Sequence, residues 1–129
     1  MIRVKVLLAL VLGLALIGTA HADLIITEIM KDPLDYSDSY AEWIEIYNTS
    51  VTDSVDLDGY TISDNGSNYH VISGLHVGPG DVFTLGNYHD PNLNGQIQHD
   101  YIYSGFGLDN GADEVILRDD EGNLIDEVW

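Results

Sequence analysis

The chain contains no cysteine, so no disulfide can brace it. A fold of this size must therefore hold by packing alone, which a domain of about a hundred residues can do. Basic residues are almost as scarce, four Lys and Arg against 22 Asp and Glu, for a formal charge of −18. So few cations argue against binding nucleic acid or an anionic membrane, because either needs a basic surface to neutralise phosphates. Beyond the first two dozen residues there is no long apolar run and no helical periodicity of useful length. The motifs G-x-S-x-G, H-E-x-x-H, a phosphate loop and an EF-hand loop are all missing.

The N-terminus has its own logic. Arg3 and Lys5 precede an apolar run from Val6 to Ile17, and Ala20 and Ala22 follow at the positions a signal peptidase reads. The apolar core is short for a membrane span. Residues 1–22 are thus expected to be a cleaved signal peptide, and 23–129 the mature domain, secreted to the extracellular space or periplasm with no stable span. No later cysteine offers a lipid attachment point. Removal of the leader leaves only Lys31 and Arg118 against all the acids, a formal charge of −20. Such a surface suits a cation-rich or saline setting.

The mature segments are short, rich in β-branched and aromatic residues, and punctuated by Gly, Asn and Asp, which predicts an all-β chain. Glu42-Trp43-Ile44-Glu45-Ile46-Tyr47-Asn48 alternates with period two. Leu24 to Met30 matches it, and the two are expected to pair as central strands. Val55 to Ser63 carries apolar Leu57, Tyr60 and Ile62; Asp64-Asn65-Gly66 marks a turn. Short strands are expected at Tyr69 to Ile72 and, after Gly78-Pro79-Gly80, at Asp81 to Gly86. Asn87 to Gly105 predicts mostly a surface loop, with a short strand at Tyr101 to Tyr103. Glu114 to Arg118 and Leu124 to Trp129 flank an acidic turn and predict a hairpin.

Seven or eight such strands point to a two-sheet antiparallel sandwich. At this level the chain resembles the lamin-tail domain, an immunoglobulin-like sandwich of nuclear lamins and of many secreted bacterial proteins. The resemblance rests on Ile26, Glu28-Ile29, Glu42-Trp43-Ile44-Glu45-Ile46 with Asn48, then Leu57, Gly59-Tyr60 and Ile62-Ser63-Asp64. It continues through Pro79-Gly80, Leu85, Leu108 with Asn110, Asp113 with Val115 and Leu117, and Gly122 with Ile125-Asp126 and Val128. Tyr60 stands where the family usually has Trp, the loop from Asn87 is long, and family members often continue a few residues past the position of Trp129. The resemblance implies a binding or attachment module that often accompanies other domains, with no catalytic residues to carry over.

Residue by residue, Glu42, Trp43, Asn48, Gly59, Tyr60 and Asp126 form the structural signature. Glu28 and Glu45 are the candidate metal ligands: two strand carboxylates whose oxygens, with loop carbonyls, suit calcium. Their plainer reading is as acids that cap loop amides at the rim of the sandwich. No motif requires a cofactor, and calcium is the one the residues admit. His70, His76, His89 and His99 are scattered without metal-ligand spacing and read as surface histidines. Tyr36, Tyr40, Tyr88, Tyr101 and Tyr103 are candidates for a sugar-stacking or protein-binding face. The expectation is an extracellular, non-catalytic module that associates with a protein or cell-surface polymer. The alternatives are a calcium-dependent glycan-binding module and, behind it, an accessory domain of a secreted hydrolase.

Overall fold

A computed structural model describes residues 24–110 and 114–129; the expected signal peptide and Asp113 lie outside them. Among the described residues, β-branched and aromatic alternation produces ten strands: β1 (Leu24–Met30), β2 (Trp43–Asn48), β3 (Val55–Asp56), β4 (Thr61–Ser63), β5 (Tyr69–Val71), β6 (His76–Val77), β7 (Val82–Gly86), β8 (Tyr101–Ile102), β9 (Val115–Arg118) and β10 (Leu124–Val128). One sheet has the order β1-β2-β7-β8 and the other β10-β9-β4-β5, with β3 and β6 paired beside them. The two larger sheets enclose one core. Ile44, Ile46, Leu57, Ile62, Ile72, Leu85 and Leu117 are fully buried in it.

β2 shows why alternation decides the layers. Ile44, Ile46 and Asn48 are buried while Trp43, Glu45 and Tyr47 are half-exposed, as a period of two requires of a strand with one face on the core. β7 behaves likewise, with Phe83 and Leu85 inward and Val82 outward. In β1 simple alternation would turn Glu28 towards the core. It does not, because the register slips between Ile26 and Glu28, so Ile26 pairs with Ile46 and Ile29 with Ile44. The extra residue, Thr27, is a bulge that reverses the parity of the strand. Glu28 is left exposed opposite Glu45.

Several expectations need correction. β1 pairs with β2 but lies at the sheet edge, so only β2 is central. The segment from Val55 to Ser63, for which no strand bounds were expected, forms two strands: β3 and β4 belong to different sheets, and Gly59 turns the chain between them at φ +84°. An added Cβ there would stand 3.0 Å from the Cβ of Asp120, so both conformation and space favour glycine. β8 runs parallel to β7, an exception to the otherwise antiparallel pairing. A short helix, α1 (Asp38–Ala41), leads into β2.

Candidate functional site

Three residues of the expected signature tie strands to their neighbours. Asn48 is fully buried; its Nδ2 donates to the carbonyls of Asp53 at 2.9 Å and Gly78 at 2.8 Å, and its Oδ1 accepts from Ser50 N–H at 3.1 Å. One amide thus joins two loops at the end of β2. Asp126 follows a register slip in β10 between Leu124 and Asp126. Its Oδ2 accepts the Ile26 N–H across the open edge of the sandwich at 2.7 Å, and its Oδ1 accepts from Glu127 N–H at 2.9 Å. Glu42 is buried just before β2, where its Oε2 accepts from Leu108 N–H at 3.2 Å. Tyr60 is half-buried; desolvation, reinforced by Asp119, Asp120 and Asp56, raises the pKa of its phenol above the ordinary 10.0.

Glu28 and Glu45, the candidate metal ligands, face each other across β1 and β2. Glu45 Oε1 accepts from Thr27 Oγ1 at 2.7 Å. Like charges directly opposite repel. Among the described residues there is no group of three or more His, Cys, Asp or Glu side chains arranged to hold a metal ion.

The candidate aromatic face divides. Tyr101 is engaged internally, its hydroxyl 2.9 Å from His70 Nε2 and accepting from Ser73 N–H at 3.2 Å. Tyr103 is buried, and burial together with the Glu42 carboxylate drives its phenol far above the usual range. Tyr36 and Tyr40 remain exposed, and the Tyr40 ring lies 4.7 Å from that of Tyr88. The loop between β7 and β8 is better built than a surface loop. Asn94 is buried at its centre, donating to the carbonyls of Tyr88 and Ile97 and accepting from Ile97 N–H. His99, expected at the surface, packs on Gly86, where an added Cβ would overlap its ring. Neither of its ring nitrogens has a hydrogen-bond partner among the described residues.

Where that loop meets the segment after β1, a groove of about 300 Å³ opens. Met30, Pro33, Leu34, Tyr36 and Trp43 supply apolar and aromatic walls, and Asp32 and Asp35 line it too. Leu34 is 99 % exposed. An exposed leucine alone is ordinary; one beside Tyr36, Trp43 and Met30 forms a contiguous apolar patch on a highly acidic protein. In the sequence Tyr36 and Trp43 stand out, whereas Leu34 and Met30 do not stand out as binding residues. Their only signal was the apolar content of a segment interrupted by Asp32, Pro33 and Asp35.

A family model for the lamin tail domain matches residues 18–129, covering both sheets and the groove. The chain belongs to the lamin tail domain family. No curated protein and no solved structure matches it. Lamin tail domains are immunoglobulin-like and often mediate protein interactions; theirs is not a known catalytic family. In this lamin tail domain the signature residues Asn48 and Asp126 serve the frame, and the groove lies apart from both.

Proposed function

We propose that this lamin tail domain is an extracellular, non-catalytic attachment module that engages a protein partner through the groove between residues 30–43 and 94–97. The observation that carries this reading is Leu34, fully presented to solvent beside Tyr36 and Trp43. Burying such a leucine in a complex is worth about 1.5–3 kcal/mol, or roughly ten- to a hundredfold in affinity. Asp32 and Asp35 favour a partner segment with an apolar anchor flanked by Lys or Arg, and the overall charge would speed its approach.

The test is sedimentation of the purified domain with washed cell envelopes, quantified against domain concentration. Leu34→Glu is expected to weaken binding at least tenfold, whereas Val51→Glu, also exposed but outside the groove, leaves it unchanged. Equal binding by Leu34→Glu and wild type would remove the groove from the interaction. The alternative, a calcium-dependent glycan-binding module using Glu28 and Glu45, predicts that chelator abolishes sedimentation and soluble polysaccharide competes; the attachment reading predicts that neither occurs.

A further inference from the structure

A second concavity, of about 410 Å³, is lined by Asp38, Glu42, Asn87 and Tyr103 together with the run Gly105-Phe106-Gly107. It takes Asp38 from α1, whereas the groove takes Ala41. Its polar atoms are unusual. Tyr103 is 1 % exposed, yet its hydroxyl has no hydrogen-bond partner among the described residues. A buried polar group without a partner is costly, and phenylalanine would fill the same space without that cost. Asn87 Oδ1 is also buried and unpartnered among the described residues. Flipping the amide does not help, because Nδ2 donates to the Asp38 carbonyl at 2.6 Å, and an oxygen there would face another oxygen.

Carboxylate, amide oxygen and phenol oxygen together make a set of acceptors, and among the described residues no Lys, Arg or His lines the cavity. Such a set calls for a cation with several N–H donors. A coordinated metal fits less well. Calcium takes six to eight oxygen ligands, whereas one oxygen of each carboxylate here already accepts from a protein donor: Asp38 Oδ2 from Asn110 Nδ2 at 2.6 Å, and Glu42 Oε2 from Leu108 N–H. Tyr103 and Phe106 pack edge to face, with centroids 5.6 Å apart, and bring aromatic surface to the same cavity. An added Cβ at Gly107 would meet nothing within 4 Å, so the rim is open there.

We propose that this cavity is a subsite for a primary ammonium, the Nζ of a lysine on a partner protein, held by the Glu42 carboxylate, Asn87 Oδ1 and Tyr103 Oη. An ammonium carries three donors on a compact centre at the end of a slim alkyl stem, matching three acceptors beside aromatic walls; the wide planar guanidinium of arginine does not. The stem would pass over Gly107. This subsite is independent of the groove, so Leu34→Glu leaves it intact.

The experiment is an amide-resolved NMR titration of the ¹⁵N-labelled domain with Nα-acetyl-lysine methylamide at constant ionic strength. The arginine and norleucine counterparts and calcium chloride serve as separate titrants. The lysine probe is expected to produce saturable shifts centred on Asn87, Gly107 and Leu108, with a dissociation constant on the order of millimolar. Tyr103→Phe should weaken it at least fivefold while the melting temperature stays level or rises, an outcome a purely structural hydroxyl would not give. Gly107→Leu should abolish binding with the fold retained, and decides the matter should Tyr103→Phe fold poorly. The proposal fails if lysine and norleucine behave alike, if arginine binds as well as lysine, if either variant binds like wild type, or if calcium saturates the same resonances at lower concentration than lysine.

Discussion

At the residue scale, the side chains that matter most are polar groups in apolar surroundings, and His99 shows how one can tie stability to pH. Burial holds its imidazole below the ordinary value of 6.5, against a smaller opposing pull from Asp100. The folded state therefore prefers the neutral ring, and the unfolded chain takes up the proton first as pH falls. The stability this provides is fully present above 6.5 and is lost as pH drops from 6.5 towards the lower folded value. Thermal melts between about pH 7.5 and 5.5 should show wild type losing stability more steeply than His99→Phe; equal slopes would mean that the ring is protonated without cost where it lies. Asp119 works in another window. Hydrogen bonds from Asn123, its side chain first, hold that carboxyl below the ordinary 3.8, so its contribution is lost only on deeper acidification. Sequence gave no means of telling His99 from His76, which is exposed. Their difference arises because Gly86 lets a ring lie flat on β7.

At the element scale, two of the edge strands, β1 and β10, each carry a bulge, and the Asp126 carboxylate bridges them through Ile26 N–H. Edge strands leave backbone donors unpaired. Here an acid on one sheet satisfies a donor on the other, and a hydrogen bond to a charged group is worth about 1.5–3 kcal/mol. Asp126→Ala should accordingly lower the unfolding free energy in urea by that amount, with the slope unchanged. A loss under about 0.5 kcal/mol would mean that water replaces the carboxylate freely. The longer strands and the terminal hairpin were legible from their period-two runs and turn residues, whereas the two-residue β6 and the single turn of α1 were not. Which strand lay at an edge was not, because alternation reports a buried face and carries no information about neighbours.

At the scale of the whole molecule, 22 acids against four basic residues make self-repulsion a property of the compact state. Sodium chloride should raise the melting temperature gradually, as the Debye length shrinks from about 30 Å at 0.01 M to about 3 Å at 1 M. Calcium and magnesium chlorides at matched ionic strength are expected to follow the same curve, since Glu28 and Glu45 form only a pair. A saturable extra gain with calcium, abolished by Glu28→Gln, would instead establish a cation site on that pair. What the amino-acid sequence determined alone is whatever depends on local pattern and composition: the all-β class, the alternating faces of β2 and β7, the turns, the absence of disulfides and the acidic surface. Tertiary structure decided what depends on distant residues meeting. It placed the bulge that turns Glu28 outward, laid His99 on Gly86, gathered Leu34 with Trp43, and set the Tyr103 hydroxyl beside the carboxylate of Glu42. Those pairings join positions up to dozens of residues apart, and two chains of equal local pattern can bring different partners together, because only chain folding sets the register and the loop paths.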